Sequence, residues 1–283
     1  MKIEMNVFSG RQNPSINLDG KLLAEFHERA SDFKSADLKK PDGLVLPLGY
    51  AGFTATPGNG RGDVMHIHSA RLERSKSVDF ERWLLDVVNQ GPVLFAPKFR
   101  RTMLQGIDTG VHAHFQIRRQ DNRLYPRIIT PDHPIYQPAE WNTPDVQPNN
   151  NCYAYGCNDP TGTFPQPGLG TGREYSAINA AEVSAAAISD GLRPLKSWSD
   201  IPAQGWRVVL VIWPDEDYHW YRADFDSPAN ALCSHKPGGT EVRNVDNSGK
   251  LIVDPTATSC DHGPYTITVG VFNVPGRELI KIA

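Results

Sequence analysis

The sequence predicts an α+β protein that folds as two domains joined by a proline-rich connector. Its 283 residues exceed the usual size of a single hydrophobic core. Segments with helical periodicity and segments with strand alternation occur in both halves of the chain. Between the halves, six prolines fall within residues 126–150, a density that excludes helix interiors and central strands. We therefore expect domains at residues 1–125 and 150–283, with an extended connector at 126–149.

The first domain is predicted to begin with a strand and a helix. Ile3, Met5 and Val7 are apolar and alternate with polar residues, which is typical of a half-buried strand. Asp19 precedes apolar residues at helical spacing and is therefore a candidate N-cap residue. The other predicted elements of this domain are strands at 44–56 and 64–72, a helix at 78–88 and a strand at 111–118. Nothing in the pattern assigns this domain a role beyond substrate or partner binding.

The second domain is predicted to open with a short helix that carries a cysteine. In the stretch QPNNNCYAYGCN, three asparagines precede Cys152, and asparagine is a good N-cap residue. An Ala-rich helix then fits residues 175–190. Apolar runs and alternation predict four later strands, at 206–213, 218–224, 230–236 and 265–274. The order is thus a cysteine-bearing helix, a second helix and an antiparallel sheet.

Composition excludes several classes of function. The net charge is −3 and no basic block occurs, so we expect no nucleic-acid partner. We expect no membrane partner either, because no segment has 18 uninterrupted apolar residues. The first residues lack the apolar core of a signal peptide, so we expect a cytoplasmic location, with signal-independent export as the alternative. No Gly-rich phosphate loop occurs, so we expect no organic cofactor.

Cys152 is the candidate nucleophile. A helix N-terminus lowers the pKa of a thiol through its unpaired N–H groups, and a nucleophilic cysteine needs a neighbouring base. His219, in the predicted strand DYHWYRAD, is the candidate base. If residues 218–224 and 230–236 pair as antiparallel strands, His235 can lie beside His219. Whether the two imidazoles share a face depends on the strand register, which the sequence leaves open.

This order of residues resembles that of a known enzyme group. A cysteine that opens a short helix, then a histidine on a strand and a polar residue on the next strand, is similar to the NlpC/P60 and CHAP group of papain-like thiol hydrolases. The resemblance covers only residues 150–283, and the Asp-Cys-Ser-Gly-type string of NlpC/P60 enzymes is absent. The strings NNCYAYGCN, DYHWYR, SHKPGG and NVDNSG are also similar to a group of poorly characterised bacterial proteins.

The resemblance implies a papain-like α+β domain and a cysteine peptidase or amidase. Cys152 would attack the carbon of a peptide or peptide-like amide and form an acyl-enzyme, which water or an amine would then resolve. His219 would hold the thiolate and protonate the leaving amine, and His235 would orient His219. The scissile bond and the oligomeric state stay open.

Four further residues are candidates for supporting roles. Gln147 and Asn151 are the candidate side-chain donors to an oxyanion, together with backbone N–H groups. Asp246 and Asn244, in the loop NVDNSGKLIVDP, could replace His235 as the third member. The alternative for this loop is a plain Asx-turn.

Two other classes of function compete with the enzyme. In one, the second domain is a catalytically inactive papain-like binding module. In the other, zinc stabilises an interaction protein, because zinc binds such ligands. The candidate zinc ligands form two Cys-x-His pairs and two further thiols, and they are Cys233, His235, Cys260, His262, Cys152 and Cys157. The tight Cys-x-x-Cys spacing of zinc sites is missing, so we expect no metal. A Cys152–Cys157 disulfide would require export.

The first domain carries two His-x-His pairs, His66 with His68 and His112 with His114. Neighbouring strands could bring four imidazoles together. We expect instead that these residues form a polar stripe facing solvent.

Overall fold

The chain is α+β, as predicted. The computed structural model describes residues 1–42, 44–58, 60–92, 94–109, 116–117, 133–224 and 233–283. The chain divides into two compact units. The first comprises Met1–Val7 and Asn13–Gln120, and the second comprises Phe8–Gln12 and Asp121–Ala283. Five residues near the N-terminus, which the sequence analysis placed in the first domain, thus group with the second unit.

Among the described residues, the first unit contains short strands and four helices. Its strands are β1 (Lys2–Met5), β2 (Ser15–Asn17), β3 (Leu44–Val45), β4 (Phe53–Thr56), β5 (Met65–Ile67) and β6 (Gln116–Ile117). Its helices are α1 (Gly20–Ala30), α2 (Ser35–Leu38), α3 (Arg74–Val88) and α4 (Pro97–Thr109). Four strands form an antiparallel sheet in the order β2-β1-β4-β5, and β3 pairs with β6. The rest of the predicted strand at 111–118 lies outside the described residues.

The first strand and the first helix confirm the local patterns, whereas α4 was missed. Asp19 occupies the N-cap position of α1, although its side chain makes no capping hydrogen bond. In α4, Phe99, Met103 and Ile107 are buried at a spacing of four residues. That stripe is narrow and basic residues interrupt it, which is why the sequence analysis did not identify the helix.

The expectation of a solvent-facing histidine stripe is wrong for the pair that can be checked. His66 and His68 are both buried and their rings stack 6.4 Å apart. The two ring nitrogens of His66 contact the Ala51 carbonyl at 2.7 Å and the Arg71 guanidinium at 2.9 Å. These partners satisfy the ring and allow its burial. His112 and His114 lie outside the described residues.

The second unit is built on an antiparallel sheet with helices packed against it. Its helices are α5 (Pro138–Trp141), α6 (Cys152–Gly156) and α7 (Ala180–Ser189). Its strands are β7 (Arg193–Pro194), β8 (Trp206–Trp213), β9 (Asp217–Ala223), β10 (Cys233–His235) and β11 (Ile267–Val274). The sheet order is β10-β9-β8-β11-β7. All residues of β9 are buried, so this strand is the core of the unit.

The described part of the predicted connector is not wholly extended, because it contains α5. Pro138 occupies the first turn of α5, where a missing N–H is tolerated. The buried ring of Trp141 packs edge-on against Tyr155, with centroids 4.9 Å apart, and Tyr136 joins the same cluster. These contacts anchor the segment within the second unit.

The helix that carries Cys152 begins where the asparagine run predicts. The Asn151 side chain accepts hydrogen bonds from the backbone N–H groups of Tyr153 and Ala154, both at 3.0 Å. This satisfies two of the donors that a helix N-terminus leaves unpaired. Within the described residues, no helix has the length and apolar composition needed to cross a membrane.

Candidate functional site

The register of β9 and β10 brings the two predicted histidines together. The strands pair antiparallel with His235 opposite Tyr221, so His219 lies on the same sheet face as His235. His219 Nε2 lies 2.6 Å from His235 Nδ1, and both side chains are fully buried. The histidine pairing that the sequence left open is therefore formed.

These histidines belong to a row of hydrogen bonds in which each group donates to the next. The Arg243 guanidinium can only donate, and its Nε–H lies 2.9 Å from His235 Nε2. The Val245 carbonyl lies 2.9 Å from the same nitrogen, but one nitrogen cannot both accept from Arg243 and donate to Val245. We assign His235 Nε2 as the acceptor because a guanidinium N–H can only donate, and this one points at that nitrogen. His235 Nδ1–H then donates to His219 Nε2.

The same reasoning places a proton on His219 Nδ1. This nitrogen lies 2.8 Å from Ser9 Oγ, to which it donates. Ser9 Oγ lies 2.9 Å from Tyr265 Oη, and Tyr265 donates its hydroxyl proton to Asp217 Oδ2 at 2.5 Å. This row of hydrogen bonds thus begins at a cation, Arg243, and ends at a carboxylate, Asp217. Both imidazoles are neutral in this arrangement.

Asp217 holds residues 8–12 through their backbone. Its carboxylate accepts N–H groups from Ser9 at 2.6 Å, Gly10 at 3.2 Å and Arg11 at 3.1 Å. Burial raises the pKa of Asp217, whereas the hydrogen bonds from Tyr265 and from the backbone oppose that rise. A fully buried carboxylate is stable only with partners of this kind.

The Gly10 carbonyl oxygen is bound just as closely. It accepts hydrogen bonds from the side chains of Asn151 at 2.9 Å, Gln166 at 3.0 Å and Tyr218 at 3.2 Å. The second unit therefore surrounds one peptide segment with donors for its carbonyl and an acceptor for its N–H groups. We call residues Phe8–Gln12 the docking loop, and we call Asn151, Gln166, Asp217, Tyr218 and Tyr265 the loop site.

Cys152 is fully buried and has no contact with solvent. Burial raises the pKa of its thiol far above the ordinary value, and the charge of Asp217 adds to the rise. A hydrogen bond from the Trp220 backbone N–H opposes it. The thiol itself faces the Tyr218 carbonyl at 3.9 Å. The helix N-terminus therefore does not yield a thiolate here, because desolvation dominates.

No hydrogen bond joins Cys152 to His219, both of which lie in the described part of the chain. His219 Nδ1 carries its proton towards Ser9, so it has no lone pair with which to accept the thiol proton. Burial also lowers the pKa of His219 well below its ordinary value, and the positive charge of Arg243 lowers it further. The residues predicted as nucleophile and base therefore form their hydrogen bonds with other groups, Cys152 with the Tyr218 carbonyl and His219 with Ser9 and His235.

The predicted oxyanion donors have other partners. Asn151 uses both oxygen lone pairs for the cap of α6 and both N–H groups for the Gly10 and Pro165 carbonyls. The Gln147 side-chain amide N–H donates to the Gly239 carbonyl at 3.4 Å, and the backbone carbonyl of Gln147 accepts from Lys236 Nζ. Neither side chain is directed at Cys152 by these bonds.

The predicted substitutes for His235 also lie elsewhere in the network. Asp246 forms the Asx-turn alternative, accepting from the backbone N–H groups of Ser248, Lys250 and Asp261. The Asn244 carbonyl accepts the Ile252 N–H. The partner of His219 Nε2 is His235, so these two residues do not occupy the third position.

The zinc alternative receives no support from the geometry. Within the described residues, no three His, Cys, Asp or Glu side chains converge as a metal site would require. All four cysteines are free, so Cys152 and Cys157 are not joined by a disulfide.

The comparison with curated proteins identifies a relative. Insoluble matrix shell protein 1 of Ruditapes philippinarum is 44% identical over 148 residues, which are 52% of this chain and 93% of that protein. The chain belongs to the insoluble matrix shell protein 1 family. No family model matches the chain, and no solved structure matches it.

This relationship corrects the resemblance drawn from the sequence. The assignment to the NlpC/P60 and CHAP group is wrong, because the relative is by name a shell matrix protein. The classification as a bacterial hydrolase, thiol protease or amidase is corrected by the same finding, since the relative comes from a mollusc. The shared order of Cys152, His219 and His235 was too weak a motif to identify a family.

Sequence reasoning missed Ser9, Gly10, Asp217, Arg243 and Tyr265. The partner of Ser9, His219, lies 210 positions away along the chain, so no local pattern indicates their contact. One signal was available. Asp217 is an acidic residue beside an aromatic strand, and a buried carboxylate there requires donors from outside its own strand.

Proposed function

We propose that this protein is a structural component of an insoluble extracellular matrix. The observation that carries the proposal is the 44% identity that extends over 93% of insoluble matrix shell protein 1. The relative matches about half of this chain. The proposal is therefore supported directly for the 148 matched residues and is extended to the rest of the chain. A matrix role implies export, which was the alternative to the cytoplasmic expectation.

The geometry around Cys152 supports a non-catalytic role. The thiol is fully buried, and His219, the predicted base, donates to Ser9 and so cannot accept the thiol proton. A matrix component benefits from such an arrangement, because a closed polar network with satisfied partners stabilises one conformation. Amide cleavage through Cys152 stays a prediction, and these contacts weigh against it.

Sequential extraction tests the matrix role. Matrix or cell-wall material from the organism that makes the chain would be washed with salt, then detergent, then a denaturant, and the chain quantified by mass spectrometry in each fraction. We expect it in the extracellular denaturant fraction, because an assembled matrix protein resists the milder washes. Recovery in the cytosolic or first salt fraction would refute the proposal.

A further inference from the structure

We infer that the segment joining β4 and β5 is an adhesion site, at which Arg61, Gly62 and Asp63 bind a cell-surface receptor that holds a divalent cation. The inference rests on the proposed matrix role, because such a receptor is met only outside the cell, and it names cells as the partner of that matrix. It follows from the chemistry of the three residues, from their exposure and from the way the first unit holds the segment.

The three residues match an adhesion tripeptide, in which opposite charges lie on either side of one glycine. The carboxylate of Asp63 is an oxygen ligand of the kind that Mg²⁺ and Ca²⁺ prefer. The guanidinium of Arg61 presents a planar set of N–H donors, which pairs with a carboxylate through two parallel hydrogen bonds. A receptor that offers a metal ion with an open coordination position and an acidic pocket beside it can therefore bind both side chains at once.

The tripeptide is exposed at the end of a hairpin. β4 and β5 pair antiparallel, and the tripeptide lies in the segment that joins them. Arg61, Gly62 and Asp63 are all exposed, and the side chain of Asp63 keeps 63% of its accessible surface. A large receptor can thus reach both charged groups without any opening of the fold.

Backbone hydrogen bonds hold the segment on both sides of the tripeptide. On one side, the Gly60 N–H donates to the Pro57 carbonyl at 3.3 Å. On the other side, the Lys40 N–H donates to the Val64 carbonyl at 2.8 Å. All of these residues belong to the first unit. The tripeptide is therefore restricted before a receptor binds, which reduces the conformational entropy lost on binding.

The present partner of the Asp63 carboxylate is easily exchanged. Asp63 Oδ1 lies 2.9 Å from Lys39 Nζ, and both side chains are more than half exposed. An ion pair this exposed contributes little to stability, because water screens it. A divalent cation carries twice the charge of an ammonium group and attracts the carboxylate more strongly at the same distance. The ion pair with Lys39 therefore does not prevent Asp63 from coordinating the cation of a receptor.

The experiment measures the attachment of animal fibroblasts to surfaces coated with the full chain, in a buffer that contains Mg²⁺. We expect fibroblasts to attach to wild type. Attachment should be lost when EDTA removes the cation, and also when a soluble Arg-Gly-Asp peptide occupies the receptor. An Arg-Gly-Glu peptide should not compete, because its carboxylate lies one methylene further from the backbone.

Asp63→Glu is the decisive variant, because it keeps the charge and moves the carboxylate outward by one methylene. We expect its attachment to fall by about tenfold or more, the effect of losing one well-placed contact. Asp42→Glu is the matched control, since Asp42 is also exposed and its charge also acts on Lys39. This control should support attachment as well as wild type does. Circular dichroism verifies that both variants are folded.

The remaining outcomes separate the two proposals. If Asp63→Glu supports attachment as well as wild type does, if EDTA has no effect, or if wild type supports no attachment, the adhesion site is wrong. The matrix role then stands, because the extraction tests it separately. Recovery of the chain in the cytosolic fraction would overturn both proposals.

Discussion

Replacing Asp217 with asparagine should release the docking loop and destabilise the second unit. The carboxylate accepts three backbone N–H groups and the Tyr265 hydroxyl, and it is fully buried. Asparagine keeps one acceptor oxygen and presents an NH₂ group to the remaining donors. Each buried donor left without a partner costs about 1–3 kcal/mol. With two donors affected, we expect a loss of about 3–5 kcal/mol in the free energy of unfolding, comparable to breaking a buried charge pair.

Two measurements check this prediction. Urea unfolding followed by tryptophan fluorescence gives the change in stability of the second unit. Limited trypsin digestion reports on the loop itself, because Arg11 is held in the loop site and should resist cleavage in the wild type. In Asp217→Asn we expect rapid cleavage after Arg11. Asp86→Asn is the control, since Asp86 lies on the surface with its carboxylate about half exposed and should change neither measurement.

If Asp217→Asn keeps wild-type stability within about 0.5 kcal/mol, a change typical of surface substitutions, and Arg11 stays protected, the carboxylate does not hold the loop. The contacts of Gly10 and Arg11 would then have to account for docking without it.

Three further predictions concern buried titratable groups. Iodoacetamide should modify half-buried Cys260 faster than fully buried Cys152. His219→Ala should leave the rate at Cys152 unchanged. A fast reaction at Cys152 that becomes slow in His219→Ala would instead reveal a thiolate–imidazole pair. Burial raises the pKa of Glu81 to about 7, so its protonation should stabilise the first unit below about pH 4.5 and this stability should disappear as the pH rises through 7. Urea unfolding at pH 5 and 8 checks the sign, and Glu81→Gln should abolish this contribution. Burial lowers the pKa of Lys236 to about 7, so the unfolded chain binds one more proton than the folded chain between pH 7 and 10. The free energy of unfolding of the second unit should therefore increase over this pH range. If wild type and Lys236→Met differ in this free energy by the same amount at every pH, the prediction is wrong.

Much of the secondary structure was predictable because its causes are local. The alternation of Ile3 and Met5 identified β1, and the apolar run at 206–213 identified β8 with its observed bounds. The asparagine before Cys152 predicted the start of α6, since capping involves residues only two or three positions apart. The helix α4 was missed because its buried stripe is interrupted by arginine and lysine.

The candidate site was predictable only in part. The sequence correctly suggested that β9 and β10 pair, and the register then placed His219 beside His235. It did not show that Ser9 occupies the position next to His219, where the nucleophile was expected. It also did not show that Cys152 is fully buried, which raises the pKa of its thiol instead of lowering it.

Local patterns in the sequence were enough to predict the α+β class and the start of the cysteine-bearing helix, but not the pairing of His219 with His235. These features depend on periodicity and capping, which act over a few residues. The contact of Ser9, Gly10 and Arg11 with an aspartate more than 200 positions away is visible only in the tertiary structure. The donor and acceptor of each hydrogen bond between Arg243 and Asp217 can likewise be assigned only from the tertiary structure. Burial, strand register and proton placement depend on contacts between residues that are far apart in the sequence, and local sequence patterns do not specify those contacts.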